Sequence, residues 1–298
     1  MQTAMHISDL ARLAHQLFGQ DPSQIRQIVR PVSGLVLLRY TQPTELEATL
    51  YEPVVCLILQ GCKTTILGRH TVELGPGESL IVSHDIPVVS QVTSASMAKP
   101  YLAMILTLDL SMLRSLYAEL GQVERAKGDA HALQGSCTDP ELLDALTRYL
   151  HVVNHPTEQR VLGPLYLREI HFRLLMAPHG SMLRRLLRLE SSASQITRAI
   201  SWIRQHYKEP IAIPELAKTM GMSVSSFHKA FKEITATSPL QYQKTLRLLE
   251  ARRLLTAEGY AVAQAAFAVG YESPTQFSRE YTRNFGMAPS RDNQQFVT

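Results

Sequence analysis

A duplication in the last third constrains this chain more than any other feature. Residues 216–239, LAKTMGMSVSSFHKAFKEITATSP, lie over residues 265–289, AAFAVGYESPTQFSREYTRNFGMAP. Ala217 and Gly221 fall on Ala266 and Gly270. After one added residue, Ser223, Phe227, Lys229 and Phe231 fall on Ser273, Phe277, Arg279 and Tyr281, and Pro239 falls on Pro289. Each copy predicts a short helix, a tight turn, a capping serine and a second helix with aromatics one turn apart. Alanine lets two helices cross closely, and glycine adopts the left-handed conformation that ends the first helix. Ser273 suits the N-cap and Pro274 the first helical position. The pattern is that of a helix-turn-helix, present twice.

The connector strengthens the reading. Residues 241–256 contain no glycine or proline and are rich in good helix formers. Tyr242, Leu246 and Leu249 fall on one side, Leu248, Ala251 and Leu255 on another, so the helix should be packed on both. Its length of roughly 25 Å holds the two units at a separation approaching one DNA turn of ~34 Å. Charge points the same way. From residue 193 onward there are 13 Lys+Arg against 8 Asp+Glu, a net of +5, whereas the remainder has 17 against 18. A basic segment joined to a neutral one suggests a polyanion partner for the first and another task for the second.

Residues 196–290 closely resemble the AraC/XylS family of bacterial transcription regulators. The resemblance is carried by AISWIRQHY, LAKTMGMSVSSFHKAFKEITATSPLQYQKTLRLLEARRLL and VGYESPTQFSREYTRNFG. It implies that double-stranded DNA is the partner and that the second helix of each pair reads it. Those helices are 224–234, with Ser225, Ser226, His228 and Lys229 outward, and 274–284, with Thr275, Gln276 and Arg279 outward. Polar side chains on an electropositive helix start suit base edges and phosphates. Phe227, Phe231, Phe277 and Tyr281 then anchor each helix to its own core. The plain alternative for Lys229 and Arg279 is pairing with Glu233 and Glu280 on solvated faces.

Residues 34–108 read differently. VVCLILQ, KTTILG, HTVEL, ESLIVS and PVVSQVT are short, β-branched runs broken at Gly, Pro or Asp, which predicts a small barrel or sandwich. Helices follow, one after Asp109, one opening at Asp139-Pro140 and one over 157–176. The second has Leu142, Leu146, Tyr149, Leu150 and Val153 on one face; the third is apolar almost all round, which suggests burial or pairing in a homodimer. EPVVCLILQGCKTTILGRHTVELGPGESLIVSHDIPVVSQVTSASMAKPYLAMILTLD resembles the N-terminal domain of one AraC subgroup. That resemblance implies a cupin-like β-barrel with appended helices that senses a small-molecule effector. The expected fold class is α+β: residues 1–176 for sensing and dimerisation, 177–195 as linker, with HGSM and LESSASQ as the hinge, and 196–298 as an all-α pair of helix-turn-helices.

Other chemistry is sparse. His70 and His84 stand apart with no H-x-H spacing, and His84-Asp85 reads as a surface turn. With no G-x-S-x-G, P-loop or dinucleotide fingerprint, no catalytic residue, metal or cofactor is assigned and the chain reads as a non-enzyme. Cys56 and Cys62 are six apart; they are either a thiol switch or a buried residue and a bystander. No signal peptide and no membrane-length apolar run are visible, and three cysteines suit a reducing compartment, so the expectation is cytoplasmic. Activation through RNA polymerase is the family's commoner mode. A thiol-based redox or electrophile sensor, and a metal-free cupin enzyme with a DNA-binding tail, stay open as alternatives.

Overall fold

The computed structural model describes residues 2–19, 24–121, 131–188 and 191–294. The chain divides into two compact units, Met1–Glu47 with Tyr51–Ser194, and Gln195–Thr298 with Ala48–Leu50.

The first unit opens with helix α1 (Gln2–Gln16) and continues through β1 (Arg26–Val32), β2 (Leu35–Tyr40), β3 (Glu47–Tyr51), β4 (Val54–Gln60), β5 (Cys62–Leu67), β6 (His70–Leu74), β7 (Glu78–Val82), β8 (Ile86–Ser94) and β9 (Tyr101–Thr107). Then come α2 (Leu110–Glu119), β10 (Leu133–Cys137), α3 (Pro140–Val152), α4 (Pro156–Met176) and α5 (Ser181–Leu187). The strands form a six-stranded sheet, β1-β2-β9-β4-β7-β10, and a four-stranded one, β3-β8-β5-β6. The pairs β1–β2, β2–β9, β9–β4, β4–β7 and β7–β10 of the first sheet, and β8–β5 and β5–β6 of the second, are antiparallel. This is the barrel-type α+β arrangement expected, with the runs VVCLILQ and HTVEL forming β4 and β6 from end to end.

Strand alternation decides where the core sits. Leu37, Val55, Leu57, Leu102 and Met104 join Leu10 of α1, Leu113 of α2, Leu142, Leu146 and Tyr149 of α3, and Ile170 and Leu174 of α4 in one buried cluster. Each such aliphatic side chain contributes about 1.5–3 kcal/mol of burial. Asp139 caps α3 by accepting from the Glu141 N–H at 2.8 Å, with Pro140 in the first turn. Arg148 ties α3 to Glu169 of α4 at 2.9 Å. Helix α4 is less buried than its composition suggested: Val161 and Leu165 are exposed, 63% and 60% respectively.

Two expectations for this unit are corrected. The HGSM stretch is packed, not a hinge: a 3-10 turn spans Pro178–Gly180 and the His179 and Met182 side chains are buried. His179 Nε2 lies 2.9 Å from Ser79 Oγ of β7, and Ser181 Oγ donates to Gln134 Oε1 of β10 at 3.1 Å. Four apolar residues of α5, Met182, Leu183, Leu186 and Leu187, supply the driving force. Of LESSASQ, residues 189–190 lie outside the described residues, and Ser192–Gln195 begin helix α6 (Ser192–Gln205), which Ser191 caps through the Ser194 N–H at 3.1 Å. Likewise His84 is buried, 1% exposed, and not on a surface turn.

The second unit continues with α7 (Ile213–Thr219), α8 (Val224–Thr235), α9 (Pro239–Ala257), α10 (Val262–Ala268), α11 (Pro274–Phe285) and α12 (Pro289–Gln294). Pairs α7–α8 and α10–α11 are the two helix-turn-helices. Both turns use a left-handed glycine, Gly221 at φ 72° and Gly270 at φ 88°. At Gly270 a side chain would also run into the Lys208 carbonyl, so only glycine fits. Helix α9 begins two residues before the predicted connector, at Pro239 behind the Ser238 cap. One side puts Tyr242 edge-on to Phe231, 5.5 Å between ring centres, in the first pair. The other puts Leu248, Ala251 and Leu255 into a cluster with Ala266, Phe277 and Tyr281 of the second.

Arg247 of α9 ties this frame together. Its guanidinium donates to the carbonyls of Tyr207 (2.6 Å), Gly270 (2.9 Å), Lys208 (2.9 Å) and Glu209 (3.3 Å). It thereby joins the segment after α6 to the turn of the second pair. At the C-terminal side Asp292 of α12, fully buried, accepts from Arg252 of α9 at 2.9 Å and from the Tyr281 hydroxyl of α11 at 2.7 Å.

Candidate nucleic-acid interface

Both second helices are held by the same device. The Ser223 hydroxyl accepts from the Ser226 N–H at 3.2 Å and Ser273 from the Gln276 N–H at 3.3 Å, which fixes where α8 and α11 begin. Phe227, Phe231, Phe277 and Tyr281 are buried to 0% exposure and pin one face of each helix. The opposite faces are open.

On α8, Ser225, Ser226, His228 and Lys229 are all exposed. The two serines belong to the cap cluster, their hydroxyls 3.2 and 2.9 Å from Ser223 Oγ. Lys229 Nζ lies 3.9 Å from Glu233, with 78% and 48% of the side chains exposed. A loose solvated pair of this kind holds its lysine weakly, so Lys229 stays available to a phosphate. Exposed Lys232, one turn on from His228, extends the same face.

On α11, Thr275, Gln276 and Arg279 are exposed. Arg279 does not pair with Glu280. That carboxylate is occupied by Lys244 at 2.8 Å, the Tyr271 hydroxyl at 2.8 Å and Gln276 Nε2 at 3.3 Å. Burial works to raise the Glu280 carboxyl, but the hydrogen bonds from Lys244, Tyr271 and Gln276 outweigh it and hold it below its ordinary value. Arg279 instead lines a shallow groove with Pro274, Thr275, Ser278 and Thr282. The residues 275, 278, 279 and 282 follow i, i+3, i+4, i+7 spacing, so they form one helical face. The structure therefore separates the expected trio. Thr275 and Arg279 share the groove, while Gln276 leans toward Glu280. Ser278, Thr282 and Lys232 were missed by sequence reading; the one-turn spacing from Thr275, Arg279 and His228 was the signal for them.

The first unit places the remaining candidates. Cys56, Cys62 and Cys137 are free thiols. Burial pushes the Cys56 thiol up, the reverse of what a reactive thiolate needs. His84 Nδ1 lies 2.7 Å from Ser83 Oγ and Nε2 3.3 Å from the Ala193 carbonyl; burial lowers its pKa to about 4. His70 is exposed, its ring 3.5 Å from that of His131. Among the described residues no three His, Cys, Asp or Glu side chains gather as a metal site. No described helix is long and apolar enough to cross a membrane.

A two-sheet barrel with appended helices, followed by two helix-turn-helices with open reading faces, defines a class: the transcription regulators that carry an effector-binding-type domain ahead of a DNA-binding one. Comparison with known proteins supplies the family. Residues 31–182 match the AraC-type transcriptional regulator N-terminus, and residues 216–295 match a helix-turn-helix domain. The chain belongs to the AraC family of transcriptional regulators. It is 26% identical over 251 residues to the HTH-type transcriptional regulator ExsA of Pseudomonas aeruginosa, covering 82% of this chain and 86% of ExsA. It is 31% identical over 123 residues to the HTH-type transcriptional activator RhaS of Escherichia coli O139:H28, covering 41% of this chain and 44% of RhaS. The crystal structure of an apo ToxT variant from Vibrio cholerae superposes with a TM-score of 0.57 at 10% identity, over 90% of this chain and 99% of ToxT. That likeness is one of fold.

Proposed function

We propose that this protein is a sequence-specific activator of transcription that responds to a small-molecule effector held by its first unit. The observation that carries the DNA-reading part is the pair of equivalent open faces. One bears Lys229 and Lys232 on α8, the other Thr275 and Arg279 on α11, and both are fixed to a single helix, α9. At 19 residues, α9 is about 28 Å long, which suits successive major-groove segments on one face of a duplex. Ser225, Ser226, His228 and Lys229, with Thr275, Gln276 and Arg279, are the proposed DNA contacts. Phosphate pairing supplies most of the affinity and base-edge contacts the specificity.

Activation is supported by the relative RhaS, a transcriptional activator, and implies RNA polymerase as a further partner in the bacterial cytoplasm. The exposed Val161 and Leu165 on α4 offer a surface for a homodimer. For coupling, the effector must bind one of two states of the regulator better than the other; equal affinity for both shifts nothing. The burial of Cys56, which pushes its thiol pKa up, favours a bound effector over a thiol switch.

The test is footprinting on a genomic-fragment library with the salt dependence followed on the best fragment. The expected result is a protected site of two successive major-groove segments. Affinity should fall by roughly 10³–10⁵ between about 50 and 200 mM salt if some 6–10 phosphates are contacted. Protection of one segment only, or binding without sequence preference in the isolated 193–298 fragment, overturns the proposal.

A further inference from the structure

Helices α8 and α11 have diverged on the faces they leave open. In the duplication, Ser225, His228, Lys229 and Lys232 of α8 stand where α11 has Thr275, Ser278, Arg279 and Thr282. The four on α8 are exposed. That face presents two ammonium groups, a point-charge pattern that suits phosphates. Helix α11 presents one guanidinium, and its surroundings are of a different chemistry.

The hydroxyls on either side of Arg279 are engaged with the helix itself. Ser278 Oγ donates to the Pro274 carbonyl at 2.9 Å, and Thr282 Oγ1 donates to the Ser278 carbonyl at 2.8 Å. A hydroxyl carries one proton, so neither can donate to a base edge without breaking a bond it already makes. With its Oγ1 drawn back onto the preceding turn, exposed Thr282 leaves its methyl to the open side. The groove that holds Arg279 is therefore bordered by carbon: the Pro274 ring at the start of the helix and the Thr282 methyl beyond the arginine. Glu280, the carboxylate next to Arg279 in the chain, is held by Lys244 at 2.8 Å.

This pairing of groups has a counterpart in duplex DNA. A planar guanidinium in the major groove matches guanine, whose O6 and N7 accept side by side. Carbon in the same groove has one complement among the base edges, the thymine C5-methyl. Thr282 lies three residues from Arg279. That is ~4.5 Å along the helix axis, comparable with the ~3.4 Å rise of one base pair.

We propose that the DNA segment read by α11 carries a guanine with a thymine within about two base pairs of it, the guanine held by Arg279 and the thymine methyl packed on Thr282. This rests on the reading of α11 as a DNA-reading helix and names the bases it selects. Thr282 is then a specificity determinant through its methyl and not its hydroxyl. Its counterpart on α8, Lys232, has no such methyl.

The test is base substitution within the footprinted site, with the full chain titrated by fluorescence anisotropy. The α11 segment is the one in which Arg279→Ala loses sequence preference. Uracil replaces each thymine of that segment in turn, which removes a methyl and keeps every hydrogen-bonding group. Replacing each guanine by 7-deazaguanine removes N7. One 7-deazaguanine should weaken binding at least ~5-fold. One uracil within about two base pairs of it should weaken binding about 4-fold, the effect of one buried methyl. Thr282→Ser keeps the hydroxyl and loses the methyl, and should bind the thymine and uracil duplexes alike. Thr282→Val loses the hydroxyl and keeps the methyl, and should retain the parent's preference. The circular dichroism spectrum and the salt slope should be unchanged in both variants. The inference is overturned if the segment holds no guanine and thymine at that spacing, if no uracil weakens binding, if the preference for thymine survives in Thr282→Ser, or if it is lost in Thr282→Val. A specific site that tolerates every uracil overturns this inference alone. The absence of any specific site overturns the regulator reading and this inference with it.

Discussion

Helices α8 and α11 end at equivalent positions in the duplication, Ala236 and Gly286, and both residues are left-handed, at φ 58° and 74°. For alanine that conformation costs about 1–2 kcal/mol; for glycine it costs almost nothing. Against this, glycine gains about 0.4–1 kcal/mol of freedom in the unfolded chain. Ala236→Gly should therefore stabilise the second unit by about 0.5–1 kcal/mol net. Gly286→Ala should destabilise it by about the same amount. No atom lies within 4 Å of a Cβ built on Gly286, so no clash confuses the comparison. The assay is urea unfolding of the full chain by tryptophan fluorescence. The single tryptophan, Trp202, sits on α6 in the second unit, stacked on His206 at 4.3 Å, and so reports that unit. With a slope of ~1–3 kcal/mol per molar urea, the midpoints should move roughly 0.2–1 M in opposite directions. Shifts of the same sign, or a destabilising Ala236→Gly, would refute the left-handed assignment and the equivalence of the two helix ends.

Acid should weaken the first unit, because His84 and His179 are each lowered by burial from 6.5 to about 4. Above the ordinary imidazole value nothing is lost; as pH falls from there the unfolded chain takes up protons that the folded one refuses, so stability drops until the folded value is reached. Each histidine should cost about 2 kcal/mol near pH ~5, read as the difference in urea midpoint by far-UV circular dichroism from neutral pH, and a flat profile would contradict it. Arg247→Met leaves the carbonyls of Tyr207, Lys208, Glu209 and Gly270 short of a donor and should cost the second unit about 2–4 kcal/mol by Trp202 fluorescence. Arg247→Lys should recover only part of that, since an ammonium lacks the planar fork.

Much of the second unit was legible because its information is local. Ser223 and Ser273 mark helix starts, Gly221 and Gly270 mark turns, and the aromatics repeat at helical spacing, so both reading helices ended within a residue of prediction. The two-sided burial of α9 followed from Tyr242 and Leu248 lying on different faces. What joins distant segments was not legible. The Arg247 clamp depends on carbonyls far away in sequence, and carbonyls carry no sequence signature. Glu280 sits beside Arg279 in the chain, but Lys244 of another helix claims it, which only packing decides. In the first unit α1 escaped prediction even though Ile7, Leu10 and Ala14 have the spacing of a buried face. The burial of His84 and His179 escaped because an imidazole in a polar stretch, HGSM or SHD, reads as surface until its Ser partner is seen.

The central claim is that α8 and α11 each read their own DNA segment. Binding at single-base-pair resolution, across a library of variants of the footprinted site, tests it most directly when the parent is run beside Lys229→Ala and Arg279→Ala. Arg279→Ala should cost ~1–3 kcal/mol and relax preference at base pairs of one segment only. Lys229→Ala should weaken binding and lower the salt slope, with any change in preference confined to the other segment. Profiles that match the parent in both variants, or that change at the same base pairs in both, would contradict the account.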